Sequence, residues 1–227
     1  MLLAIDTSTH YASVALHDGE RLLAEHTWLA KQDHTRTLLP AIQHLLAASG
    51  TELGSLQAVA VALGPGSFNG LRVGLSTAKG LAIASQLALV GVPTLELIAI
   101  EYGLCEPTMN AGRGRIYHWR PIEYRVPSTE YRAAAGIELV DGSAPDRIRH
   151  AGVLAELGWQ RLRAGQTLDP AKVEPLYVQP PHITEPRKPT PSGLSTQDSG
   201  LRTEDSEFST QDSALRTQHS ELSTGTA

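Results

Sequence analysis

A chain of 227 residues, 41% of them hydrophobic, is long enough for one or two modest cores. Its net charge of −5 gathers at the end: residues 192–227 carry six acids (Asp198, Glu204, Asp205, Glu207, Asp212, Glu221) against Arg202 and Arg216, a net of −4. The near-neutral remainder argues against a broad nucleic-acid or membrane surface, and one cysteine, Cys105, excludes an internal disulfide and reads as an ordinary thiol.

The opening MLLAIDTSTH has neither a positively charged start nor an apolar run long enough for a signal or a membrane span, so a cytoplasmic protein is expected. Residues 2–5 are an apolar strand ending in Asp6-Thr7-Ser8-Thr9. Residues 12–16 and 22–27 read as two further strands joined by the turn His17-Asp18-Gly19-Glu20. An acid and hydroxyls at the tip of a first strand, followed at once by a second strand, resemble the opening of the phosphate-binding lobe in the actin, hexokinase and Hsp70 superfamily. There the acid holds a hydrated metal ion. Asp6, Thr7, Ser8 and Thr9 are thus a candidate vestigial phosphate site, with turn capping as the other reading.

Leu38, Leu39, Ile42, Leu45 and Leu46 recur at helical spacing and predict an amphipathic helix over 35–48, capped by Asp33 or Thr35, with Pro40 near its first turn or kinking it. His34 lacks a second metal ligand three or four residues on, where Thr37 and Leu38 stand, so no metal site is expected.

A strand over 58–62 leads into GPGSFNGLRVGLSTAKGLAIAS, residues 64–85. Gly66, Gly70, Gly74, Ala78 and Ala82 recur every fourth residue, which puts them on one side of a helix over 71–85. Glycine costs about 1 kcal/mol against alanine inside a helix, so this one must draw its stability from close packing. The neighbour is either the same chain or another protein. The glycine turn lacks both the Gly-Lys-Ser/Thr ending of a Walker loop and the dinucleotide fingerprint, and Ser67 or Asn69 is the simpler reading, as a helix cap.

A strand over 89–92 and a helix from a Thr94 cap to about Gly103 complete a mixed sheet covered by helices, the ribonuclease H-like layout. Residues 113–120 and 122–126 suggest paired strands that interleave arginines with Tyr117, Trp119 and Tyr124. Such a pattern binds single-stranded nucleic acid or lines a solvated strand pair, and the second is favoured. Residues 140–143 read as a turn, 147–164 as an amphipathic helix and 173–181 as a proline-bounded strand. From Leu194 a seven-residue repeat carries one apolar position per unit (Leu194, Leu201, Phe208, Leu215, Leu222), too few for a coiled coil, and is expected to be disordered.

Three stretches, LLAIDTSTHYASVAL, HTRTLLPAI and above all GPGSFNGLRVGLSTAKGLA, resemble the TsaB family, also called YeaZ, which usually has Thr in place of Asn69. EPLYVQPPHI, residues 174–183, is similar to the family's closing Pro-x-Tyr segment. The resemblance implies an α/β actin-like ATPase fold, divided here into an N-terminal lobe (1–103), a truncated second lobe (104–183) and a tail (184–227). It further implies a non-catalytic scaffold subunit that binds and activates TsaD in threonylcarbamoyl transfer to adenosine beside the tRNA anticodon. ATP and metal are then expected on TsaD and no cofactor here. The implied pairing runs through helices 35–48 and 71–85, with Leu38, Ile42, Leu45, Leu71, Gly74, Leu75, Ala78, Leu81 and Ala82 as the interface. TsaE is a further candidate partner, tRNA is met only within the complex, no membrane is involved, and a homodimer of the chain alone stays open. The sequence departs from the family at Asn110-Ala111-Gly112, where Asp-Ala-Arg is common, and is short between Val140 and Arg147. The competing readings are an actin-like ATPase or kinase using Asp6, and a glycoprotease-like metallopeptidase, which lacks its metal pair.

Overall fold

A computed structural model of the chain describes residues 1–120 and 136–178. The chain divides into two compact units, Met1–Ile183 and Thr184–Ala227, of which the second lies outside the described residues together with the expected disordered repeat. Five strands form the main sheet: β1 (Leu2–Asp6), β2 (Tyr11–His17), β3 (Leu22–Leu29), β4 (Ala58–Gly64) and β5 (Ala88–Pro93), in the order β3-β2-β1-β4-β5. β1, β2 and β3 are an antiparallel meander, whereas β4 and β5 run parallel to β1. The parallel pairs need crossovers, supplied by α1 (His34–Ala48) and α2 (Phe68–Ala84). This is the actin-like, ribonuclease H-like α/β layout.

The period-two alternation of the buried strands sorts the residues into two unlike faces. Leu3 and Ile5 of β1 and Val59, Val61 and Leu63 of β4 form one core with α1 and α2. Ala4, Ala58, Ala60 and Ala62 point the other way, toward Ala151, Leu154 and Ala155 of α4 (Ala151–Arg163). Alanine strands let this helix sit close: a methyl added to Gly158 would come within 2.5 Å of the Ala60 side chain. Its first turn takes no cap from His150. Instead the Ala151 amide donates to Ser13 Oγ on β2 at 3.0 Å. At its other end Arg161 Nη2 donates to both carboxylate oxygens of Glu96 in α3 (Thr94–Tyr102), at 2.6 and 2.7 Å. The expected boundary at residue 103 is therefore not a packing boundary, because α4 covers the N-terminal sheet.

A second sheet, in the order β6-β7-β8, is made of β6 (Thr108–Gly112), β7 (Arg115–Trp119) and β8 (Ile137–Asp141), all antiparallel. The strand expected over 122–126, with Tyr124, lies outside the described residues, and β7 pairs with β6 and β8. Val140 and Asp141 end β8 and are not yet in the turn, which begins at Gly142 with φ of +153°. Thr94 is the first helical residue and not the cap of α3. Its hydroxyl caps nothing because the N-cap position falls to Pro93. The described part of the expected last strand, 173–178, is not a strand but a strap tied to the end of β4 and to α2. Leu176 N donates to Leu63 O at 2.7 Å, and Lys79 Nζ donates to Val173 O at 3.1 Å. Among the described residues no helix is long and apolar enough to cross a membrane.

Candidate functional site

The tip of β1 is closed on itself by an arginine from the far end of the chain. Asp6, 3% exposed, accepts Arg149 Nε at 2.8 Å and Nη2 at 3.4 Å, and also the Ser8 amide at 2.9 Å. Ser8 Oγ, wholly buried, bonds both to Asp6 and to Arg149 Nη2. Burial alone would push the Asp6 carboxyl up. The Arg149 charge and the hydrogen bonds from Arg149 and Ser8 outweigh it and hold the carboxyl below the usual carboxylate range. A hydrated metal ion needs those same carboxylate oxygens, and here a fixed guanidinium fills the place of a cation. The residues present do not fit a metal-bound nucleotide at Asp6.

The other members of the expected phosphate site are likewise consumed. Thr7 Oγ1 donates to Gly70 O at 2.7 Å, Thr9 Oγ1 donates to Tyr11 O at 3.1 Å, and the Thr9 carbonyl accepts His34 Nε2 at 2.8 Å. His34 is thus a buried tie between β1's turn and α1. Asp6, Thr7, Ser8 and Thr9 form a turn lock, which corrects the phosphate reading.

The small-residue row of α2 exists for this lock. A methyl on Gly66 would strike Ser8 O, one on Gly70 would strike Thr7 O, and one on Gly74 would strike Thr7 Oγ1. The helix approaches the β1 turn so closely that Ser67 N donates to Ser8 O at 2.7 Å, while the Ser67 side chain caps the helix by accepting from Gly70 N. The neighbour demanded by the glycines is therefore the same chain. Leu38, Ile42, Leu45, Leu71, Gly74, Leu75, Ala78 and Ala82 are all buried within it, and Leu81 is half-buried against the same core. The expected interface list is corrected accordingly: the apolar rows of α1 and α2 face the sheet, and these residues are not available to a partner. On the opposite sides of the two helices Leu39 is 52% and Ile83 64% exposed.

Beside the lock lies a cleft of about 890 Å3, lined by the turn at Ser8–His10, the start of α2, the three-stranded sheet, the segment leading into α4, and the strap at Leu176, Tyr177 and Val178. Asn110 holds two of these walls together. Its amide donates to Ala144 O at 2.7 Å and its carbonyl accepts Ala144 N at 2.8 Å, a double role that an aspartate cannot fill. The segment so anchored carries Arg147, which donates to Thr108 O and lies over the Tyr102 ring, and then Arg149. At the strap, Tyr177 packs on Phe68 with ring centroids 5.1 Å apart, and Arg72 lies over Phe68 at 5.3 Å.

Arg149 and Tyr177 are the site residues that the sequence did not single out. Arg149 stands 143 residues from Asp6 and is marked by no local motif. Tyr177 lies in the closing Pro-x-Tyr segment, whose family likeness was the available signal.

A family model described as "TsaD: tRNA N6-adenosine threonylcarbamoyltransferase" matches residues 28–145, just over half of the chain. The "tRNA threonylcarbamoyladenosine biosynthesis protein TsaB" of Escherichia coli (strain K12) is 44% identical over 98 residues, 43% of this chain and 42% of the relative. The protein of the same name from Bacillus subtilis (strain 168) is 34% identical over 120 residues, 51% of this chain and 52% of the relative. The matches thus span about half the length, or less, of these curated relatives. The solved structure "YeaZ from Pseudomonas aeruginosa" superposes with a TM-score of 0.62 at 24% identity, covering 78% of this chain and 99% of that one, which supports the fold. With the glycine-row helix seated on the β1 turn and these matches across it, the chain belongs to the TsaB (YeaZ) family.

Proposed function

We propose that the chain is a non-catalytic partner subunit in tRNA threonylcarbamoyladenosine biosynthesis, which binds TsaD and supports its transfer of the threonylcarbamoyl group to adenosine. The names of its TsaB relatives supply the pathway. The observation that carries the non-catalytic part is the Asp6–Arg149 pair at 2.8 Å, which takes the carboxylate an actin-like ATPase would use for metal. Among the described residues no group of three or more His, Cys, Asp or Glu side chains is placed to share a metal ion. In this reading the reacting nucleotide and metal sit on TsaD.

The two helices of the family resemblance remain the proposed docking elements, through their outward faces. α1 and α2 pack together on one side of the sheet and turn Leu39, Pro40, Ala47, Gly80, Ile83 and Ala84 to solvent. Leu39 and Ile83 are large apolar side chains with no core to enter, the kind of anchors that a helical partner would bury.

The test is ATP hydrolysis by the purified chain with magnesium, with and without TsaD. No turnover by the chain alone is expected. Turnover abolished by Asp6→Ala in a folded protein would overturn the reading in favour of an actin-like ATPase.

A further inference from the structure

We propose that the cleft beside the β1 turn binds a short single-stranded RNA segment without a metal ion, Arg113 and Arg147 holding phosphates and the Phe68–Tyr177 pair stacking a base. The inference rests on the tRNA-modification reading only for its choice of RNA. The rest follows from what lines the cleft.

Arg113 and Arg147 line it together with His10, against one acid, Asp146, among the described residues. Arg149 lines it too but adds no net charge, since it is buried and matched by Asp6. The described lining therefore carries a local positive excess on a chain whose overall charge is −5. Local positive charge of this kind, framed by neutral surface, selects an anion.

The anion is not a metal-bound triphosphate, because the lock at Asp6 leaves no carboxylate for the metal. A phosphodiester carries one charge per unit and is satisfied by arginine alone, whose planar fork suits phosphate oxygens. Arg113 is exposed in the hairpin between β6 and β7, and its φ of +56° belongs to that turn.

The aromatic side of the cleft adds a platform. Tyr177 is 42% exposed, lies against Phe68 with an interplanar angle of 35°, and Arg72 continues the stack over Phe68. Exposed aromatic and arginine planes beside a basic groove are what unpaired bases stack on, and a duplex base pair cannot reach them. The volume of about 890 Å3 is at the upper end of the range of about 300–1,000 Å3 usual for small-molecule sites, so there is room for more than one nucleotide unit. The pattern of arginines interleaved with Tyr117, noted in the sequence, falls on this wall: Arg113, Arg115 and Tyr117 all line it.

The experiment is a fluorescence-anisotropy titration of the full chain against a labelled unstructured oligoribonucleotide of about ten units, long enough for the usual single-strand site sizes, in EDTA and at several salt concentrations. Saturable binding that EDTA leaves unchanged and that weakens as salt rises is expected. Tyr177→Ala should weaken it about tenfold, the scale of one lost base stack. Arg113→Ala, an exposed change that leaves the core intact, should make the logarithmic salt dependence shallower by about 0.7, one single-strand phosphate contact. No binding by the wild type, or binding untouched by both substitutions, would overturn the proposal. So would displacement of the oligonucleotide by an equal concentration of AMP, which would mark a small-anion site. Loss of RNA binding in a chain that still associates with TsaD would sink this inference alone. RNA binding by a chain that does not associate would support it and sink the partner reading.

Discussion

The two walls of the cleft differ in where their polar groups are spent. At the β1 turn, where Ser8 and Thr9 line the cleft and Asp6 and Thr7 lie behind them, all four hydrogen-bond within the chain, three of them almost wholly buried. On the wall built by the hairpin and the strap, Arg113 and Tyr177 reach solvent. The first wall has the composition of a catalytic loop and the bonding of a structural joint. The second has no catalytic signature and leaves Arg113 and Tyr177 at the surface. The contrast shows that residue type at a superfamily position does not fix its role; the partners do. Arg149, arriving just ahead of α4, makes the Asp6 carboxylate half of an ion pair.

The largest expected effect lies on the first wall. Asp6→Asn or Arg149→Met leaves the other charge buried without its partner, and should cost about 3–5 kcal/mol in urea unfolding. The double substitution Asp6→Leu with Arg149→Met should recover much of that loss, because no lone charge remains. Additive losses would mean that the two groups are not coupled and that the joint is misread.

Gly74→Leu comes next. It drives a side chain into Thr7 Oγ1 and should destabilise the isolated chain by about 1–3 kcal/mol or more, read from its melting temperature. A variant that melts like the wild type and loses only its partner would place the smooth row of α2 outside the core.

A smaller effect is the dependence on pH. The Asp6 carboxyl is depressed in the folded chain, so its stabilising contribution is present above the unfolded value of about 4 and is lost as pH falls through the folded value. The wild type should lose stability on acidification below about pH 4 more steeply than Asp6→Asn, which has no carboxyl there to protonate. Asp18 is depressed in the same direction by the amides of Glu20 and Arg21, but in an exposed turn where solvent screens it, so both proteins share that minor background. Parallel acid profiles would contradict the assigned Asp6 environment.

Much of the main sheet was legible from residue periodicity. The alternation of Val and Ala in β4 marks a strand buried on both faces, and the apolar row of α1 marks a helix lying on one of them. The glycine row of α2 announced close packing, but spacing alone does not name the neighbour, and the physical answer was the backbone of the β1 turn. The Arg149 lock was not legible because it joins groups 143 residues apart through a tertiary approach. The same reason hid the pairing of β7, whose partners β6 and β8 are set by the hairpin at Arg113 and by chain return. Thr94 looked like a cap from its chemistry, yet the extended Pro93 (φ −62°, ψ 138°) takes the N-cap position, so Thr94 is already helical and its hydroxyl is unused.

With Asp6 locked in an ion pair, the proposed partner role falls to the outward faces of α1 and α2. Light scattering after size exclusion reads it out, on the chain alone, on the chain mixed with TsaD from the same source, and on Leu39→Asp and Ile83→Asp. Both substitutions sit at exposed positions and should shift stability by no more than about 0.5 kcal/mol. The expected result is a one-to-one complex for the wild type that either substitution abolishes. A wild type that stays unassociated beside TsaD, or variants that associate as well as it does, would remove the helix faces as the docking surface.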